Sequence, residues 1–200
     1  MDYLIAILGG YLLGSIPFGL LLTRLAGLGD LRQVGSGNIG ATNVLRTGRK
    51  DIALATLFLD AAKAALALTL AGHFLGSPTA PNLDAGYCAG ASALLGHCFP
   101  IWLKFRGGKG VATFFGTLLI GLWPVGILAG GLWLATAYTF RYSSLSALVS
   151  SAAAPLIAVV FHTSPIGVGA TLFMSVLVWI RHRENIARLI KGEEPQIGKK

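Results

Sequence analysis

Residues 3–23 read YLIAILGGYLLGSIPFGLLLT, 21 consecutive residues without a charge. At about 1.5 Å per helical residue, such a run crosses the ~30 Å hydrocarbon layer of a bilayer. Working outward, residues 52–73, 85–103 and 144–161 read as further spans, and 165–180 as the last, opening at Ser164-Pro165 and ending before Arg181. Residues 111–140 form an uncharged stretch of 30, too long for one upright helix. Pro124 follows Trp123 near its middle, and a proline disfavours helix in the residue before it. The spacing therefore predicts a short helix at 111–122 and another at 124–140. The expected fold is all-α, a polytopic membrane helix bundle of about seven transmembrane helices in one domain over 1–200. The count falls to five or six if the short helix is re-entrant.

Composition gives the same class. Of 200 residues 54% are hydrophobic and only 12% charged, about half the share of charge in a soluble domain. The mean hydropathy is +0.70. Disorder needs low hydrophobicity and many charges, and is excluded. Cys88 and Cys98 stand ten residues apart on one predicted helix, roughly 15 Å along its axis. They cannot pair with each other, so a disulfide scaffold is excluded too. A soluble nucleic-acid binder is disfavoured because the basic residues lie between long apolar runs. No metal-ligand spacing is present among the dispersed His73, His97, His162 and His182.

The charges orient the helices. With seven spans the termini lie on opposite sides, and a cytoplasmic C-terminus puts 15 of the 16 basic residues, from Arg24 to Lys199 and Lys200, on the cytoplasmic face. Lys63 alone falls inside a span. The cytoplasmic face then carries +10 and the outer face, with Asp2 and Asp84, −2. This is a strong positive-inside pattern and predicts the N-terminus outside. The start MDYLIAIL lacks a basic n-region, so no cleaved signal peptide is expected. Asp60 and Lys63, three residues apart in the second span, are expected to form a structural ion pair facing the bundle. His97 is expected to bond an adjacent helix or to support the loop that follows it.

Three polar segments interrupt the apolar chain, all on the predicted cytoplasmic side. In Asp30–Gly48, Gly35, Gly37 and Gly40 permit close approach of backbone to a ligand. Ser36, Asn38, Thr42 and Asn43 add neutral hydrogen-bonding groups, while Arg32 and Arg46 add fixed charge, a combination suited to a phosphate. A flexible loop with orienting arginines is the plainer alternative. In Lys104–Gly110 the glycines Gly107, Gly108 and Gly110 flank Lys109 at a predicted helix N-terminus, where free N–H groups attract anions. It is not a Walker A loop, and a tight interhelical turn with an anchoring lysine is the alternative. In Arg181–Lys191, His182 and Asn185 share a face at i, i+3, and Arg181 and Asn185 at i, i+4. His182 could equally be an interfacial histidine beside a stop-transfer cluster. Glu184 is expected to brace an arginine.

Gly14-Ser-Ile-Pro-Phe-Gly, Val34-Gly-Ser-Gly-Asn-Ile-Gly-Ala-Thr-Asn-Val44, Leu95-Gly-His through Gly107-Gly-Lys-Gly-Val-Ala-Thr113, and Arg181-His-Arg-Glu-Asn-Ile186 resemble the motifs of the bacterial acyl-phosphate:glycerol-3-phosphate acyltransferases. The resemblance spans essentially the whole chain in length and motif order. It implies transfer of a fatty acyl group from acyl phosphate to the 1-hydroxyl of sn-glycerol-3-phosphate, giving 1-acyl-glycerol-3-phosphate (lysophosphatidate) and inorganic phosphate, without metal, nucleotide or other cofactor. By the same resemblance Ser36, Arg46, His182 and Asn185 are the expected catalytic residues. Asn38, Gly107, Gly108, Lys109, Gly110 and Ser144 are the expected substrate-binding ones, with Ser143 and Ser146 as alternatives to Ser144, and Glu184 looks structural. The expected partners are the two substrates and membrane lipids, with no nucleic acid and no obligate protein partner. The expected location is the bacterial cytoplasmic (inner) membrane, with the site on the cytoplasmic side.

The residue inventory suits that chemistry. An acyl phosphate is already activated, so the enzyme mainly positions the hydroxyl and stabilises developing charge. No G-x-S-x-G elbow is present. A transporter of anionic phosphate esters would need a midplane site and usually a repeat, and no convincing repeat is found. A lipid-binding scaffold would explain the basic face but not the ordered glycine, serine and asparagine motifs.

Overall fold

The computed structural model describes residues 1–77 and 79–198; Lys199 and Lys200, two of the basic residues assigned to the cytoplasmic face, lie outside the described residues. Among the described residues the chain forms ten α-helices: α1 Asp2–Gly14, α2 Phe18–Leu25, α3 Ala41–Val44, α4 Lys50–Phe74, α5 Leu83–Cys98, α6 Val111–Gly121, α7 Trp123–Phe140, α8 Ser143–Val160, α9 Pro165–Arg181 and α10 Arg183–Lys191. Short 3-10 turns at Leu31–Gln33, Leu45–Thr47 and Ile101–Leu103 shape the loops.

The Gly/Ala-rich α5 is the hub, buried over most of its length. Small residues let helix backbones approach closely where no hydrophobic force separates protein from lipid. Gly10 and Gly14 of α1 lie so near the backbones of Ala89 and Ala93 that a Cβ at either would collide with them. The Ser92 hydroxyl donates to the Ile7 carbonyl at 2.6 Å across the same contact. Beyond α5 a core of Leu94, Phe114, Leu118, Val125, Met174 and Val178 joins α5, α6, α7 and α9. The outer surface is apolar: Phe58, Leu134 and Leu156 are 69%, 65% and 70% exposed. Patches of that kind belong against lipid.

By length and composition three helical stretches can cross a membrane: Asp2–Leu25, Lys50–Phe74 and Ser143–Val160. A fourth counts if α9 and α10, bent by 58°, are taken together, and α6 is a shorter apolar helix.

Three expectations need correction. The first span is not one helix: it breaks at Ser15-Ile16-Pro17, where Pro17 caps α2 without being able to donate to the preceding turn. The 85–103 segment ends as a helix at Cys98, because Pro100 follows Phe99 and the chain turns. Arg181 and Asn185 do not share a helix, since α9 stops at Arg181 and the chain bends at His182. Residues 111–140 divide where Pro124 places the break, at Leu122.

The expected ion pair is present. Lys63 Nζ donates to Asp60 Oδ1 at 2.8 Å, both side chains almost wholly buried. It also donates to the Ile16 carbonyl, freed by the break between α1 and α2, at 2.8 Å, and lies 2.9 Å from His97 Nδ1. The pair thus fastens the broken first span to α4 and α5.

Candidate active site

The first polar loop is organised by Asn43, at the third position of α3. Its Nδ2 donates to the carbonyls of Leu31 (3.1 Å) and Val34 (2.8 Å). Its Oδ1 accepts from the Ser36 N–H (3.1 Å), the Ser36 hydroxyl (3.4 Å) and Arg46 Nη1 (3.5 Å). Ser36 and Arg46, ten residues apart, are therefore held together on an exposed surface of the loop. Arg32 is otherwise engaged, its Nε donating to Asp30 at 2.9 Å and 3.1 Å. Arg46 is left as the guanidinium available to an anion. Asn38 is half-buried and, among the described residues, makes no side-chain hydrogen bond. Packing of Leu31, Ile39 and Val44 against Leu20 seats the loop on α2, with Leu103 of the next loop alongside.

The second and third segments meet directly. The N–H groups of Gly107 and Gly108 donate back to the carbonyls of Cys98 (3.1 Å) and His97 (3.0 Å), folding the glycine loop onto the end of α5. The His97 ring lies against Gly108 and leaves no room there for a Cβ. His97 thus both bonds α4 and supports the loop. Arg181 holds the loop from the other side, Nε donating to the Gly108 carbonyl (3.0 Å) and Nη2 to that of Gly107 (2.9 Å). Gly110 caps α6 in a left-handed conformation, φ +83°. Lys109 Nζ donates to Asn185 Oδ1 at 2.5 Å. Two of the three ammonium protons remain for a ligand.

Burial first, and then the Arg188 charge, pushes the Lys109 ammonium down to about 8, with Glu194 and Glu184 opposing. His182 sits at the bend, 3% exposed, with Nδ1 2.8 Å from the Val178 carbonyl. That contact requires the proton on Nδ1, leaving the Nε2 lone pair free. Burial pushes the imidazole down to about 4, so it is neutral at physiological pH.

The carboxylate of this site was not foreseen. Among the described residues Glu184 makes no ion pair; the acid that braces an arginine is Glu194, whose Oε2 accepts from Arg188 Nε at 2.7 Å. Glu194 Oε1 accepts from the Ser144 hydroxyl and from Asn185 Nδ2, both at 2.6 Å. Ser144, at the start of α8, is thereby joined to Asn185 and Lys109. The only advance signal was the Gly-Glu-Glu-Pro run after the last helix, which carries no chemistry of its own. Among the described residues no hydrogen bond joins the Ser36–Arg46 cluster to the Lys109–Asn185–Ser144 cluster.

The comparisons with known proteins agree over nearly the full chain. The family model described as glycerol-3-phosphate acyltransferase matches residues 4–192. A glycerol-3-phosphate acyltransferase of Caulobacter vibrioides is 61% identical over 197 residues, covering 98% of this chain and 88% of the relative. One from Dinoroseobacter shibae is 59% identical over 193 residues, with 96% and 92% coverage. The crystal structure of PlsY (YgiH), an integral membrane glycerol 3-phosphate acyltransferase, in its glycerol 3-phosphate form superposes with a TM-score of 0.89 at 34% identity, covering 99% of this chain and 96% of that one. Its lysophosphatidic acid form gives 0.88 at 32%, with the same coverage. With its apolar exterior and its paired glycine, lysine and asparagine motifs, the chain belongs to the glycerol-3-phosphate acyltransferase family of integral membrane enzymes.

Proposed function

We propose that the chain transfers a fatty acyl group from acyl phosphate to the 1-hydroxyl of sn-glycerol-3-phosphate, releasing inorganic phosphate and 1-acyl-glycerol-3-phosphate. The observation that carries this reading is the direct contact of Lys109 with Asn185, which brings the glycine loop, a buried neutral histidine and Ser144 to one place. The related PlsY structures, in glycerol 3-phosphate and lysophosphatidic acid forms, support this choice of acceptor and product.

Lys109, with Asn185, Ser144 and the loop Gly107, Gly108 and Gly110, receives the acceptor's phosphate. Ser36 and Arg46, with Asn38, receive the phosphate of the donor. Each phosphate carries nearly two negative charges at neutral pH, and a cationic face lowers their mutual repulsion. His182 Nε2 accepts a hydrogen bond from the glycerol 1-hydroxyl and aims its oxygen at the acyl carbonyl. The new ester C–O bond forms, the bond from the carbonyl carbon to the phosphate oxygen breaks, and the hydroxyl proton ends on the released phosphate. An imidazole held at about 4 is a weak proton acceptor, which favours the phosphate in that role and orientation as the work of His182.

The topology in this reading has seven crossings, with α1 and α2 sharing one, the N-terminus outside and the site on the cytoplasmic side of the bacterial inner membrane. The positive-inside pattern supports it. The experiment separates the two phosphate sites. Lys109→Ala is expected to raise KM for glycerol-3-phosphate about tenfold or more with KM for acyl phosphate little changed, and Arg46→Ala to do the reverse. Equal effects of both variants on both substrates would contradict the assignment.

A further inference from the structure

The tail after α10 carries Glu194, the carboxylate hydrogen-bonded to Ser144, Asn185 and Arg188. Gly192, in a left-handed conformation at φ +72°, ends α10 and turns the chain back. The returning segment is tied at its far end to the turn between α7 and α8: the Ile197 N–H donates to the Arg141 carbonyl at 2.7 Å, and Arg141 Nη2 donates to the Ile197 carbonyl at 2.9 Å. Gln196 Nε2 lies 3.3 Å from the Tyr142 hydroxyl. Between these ties the Glu194 side chain is 7% exposed. All three donors around it, Ser144, Asn185 and Arg188, come from outside the tail.

The Asn185 amide stands between Glu194 and Lys109. An ionised carboxylate can only accept and an ammonium can only donate. Nδ2 must therefore face Glu194 and Oδ1 must face Lys109, so between the two charges the amide has a single orientation. Burial raises the Glu194 carboxyl, but the hydrogen bonds from Ser144, Asn185 and Arg188 outweigh it and hold the group below its usual range. The carboxylate stays ionised at neutral pH.

We propose that Glu194 is a positioning residue for the acceptor site, acting through Asn185 to fix the direction and charge of Lys109 and, in parallel, the direction of Ser144 and Arg188. This rests on the reading that Lys109 binds the phosphate of glycerol-3-phosphate. The Glu194 charge also bears on Lys109 together with Glu184 and against Arg188 and Arg181, the charged groups that face the ammonium from α10 and the end of α9, while His182 at the bend is neutral.

The test uses the purified full-length protein with acyl phosphate and glycerol-3-phosphate, comparing wild type, Glu194→Gln, Glu194→Ala and Lys109→Ala. Glutamine keeps the shape of the side chain but removes its charge, leaving Lys109 alone to orient Asn185. Expected for Glu194→Gln are a KM for glycerol-3-phosphate raised about tenfold and a KM for acyl phosphate within about twofold of wild type. Glu194→Ala should exceed both the Gln effect on the acceptor and the wild-type KM. In wild type, kcat/KM for the acceptor falls above about pH 8 as Lys109 loses its proton. Removing the neighbouring negative charge moves that limb to lower pH. An unchanged acceptor KM and limb in Glu194→Gln, a lowered KM, or equal rises for both substrates would each overturn the proposal. If Lys109→Ala leaves the acceptor KM unchanged, the acceptor-site reading fails and the relay with it; if only the Glu194 variants are silent, the relay alone fails.

Discussion

His182→Ala is expected to lower kcat by at least about 100-fold, with the protein still folded and KM for both substrates changed far less. The imidazole is held by one hydrogen bond, from Nδ1–H to the Val178 carbonyl one turn earlier, and lies where α9 ends and α10 begins. In the proposed mechanism, losing the ring removes the acceptor that aims the hydroxyl, which matters most at the transition state and little for binding phosphates. Gel filtration and a thermal melt of the same sample in detergent separate catalysis from folding. In acid the imidazole itself stays neutral until the pH approaches about 4, so a fall in rate at about pH 6 belongs to the substrate phosphates and not to His182. A variant with near wild-type kcat at saturating substrates would remove His182 from the mechanism.

The second large effect is structural. Lys63→Ala leaves the Asp60 carboxylate buried without its cation, which costs about 3–5 kcal/mol, and Asp60→Ala does the same to Lys63. For a chain of this size that is a fall in melting temperature of about 6–20 °C. The loss is not confined to the pair. Lys63 also holds the Ile16 carbonyl at the break in the first span and lies against His97, whose backbone and ring support Gly108. Replacing both charges together, Asp60→Asn with Lys63→Met, should recover part of the stability because no lone charge remains. A Lys63→Ala melting temperature within 2 °C (about 0.5–1 kcal/mol) of wild type would show that the pair fastens nothing.

Much of this molecule is readable in the sequence because the bilayer imposes a simple rule. A long uncharged run must satisfy its own backbone, so it is a helix. The rule locates the division at Pro124 and the start of α9 at Pro165. It fails at Pro17, where the apolar run continues without interruption: hydrophobicity hides a break whose exposed Ile16 carbonyl finds its donor 47 positions away, on Lys63. The same limit applies in the site. Lys109 and Asn185 stand out by their setting in glycine and polar motifs, but nothing in the spacing pairs residues 76 positions apart. Asn43 organises Ser36 and Arg46 while looking like one small polar residue among several. Glu194 lies in a tail with no helical or glycine pattern, and its meaning appears only when the chain turns at Gly192 and is tied to Arg141. Tertiary hydrogen bonds, not local propensity, decide each of these positions.

The other assignments rest on the proposal that an acyl phosphate is the donor and glycerol-3-phosphate the acceptor at the Lys109–Asn185 site. The most direct measurement incubates the purified protein with glycerol-3-phosphate and, in parallel, acyl phosphate, acyl-CoA or an acyl carrier protein thioester, following released phosphate and acylated product together. Expected are equimolar phosphate and 1-acyl-glycerol-3-phosphate from acyl phosphate alone, both abolished in Asn185→Ala. Product formation from a thioester at a comparable rate, or phosphate release without acylated product, would contradict it.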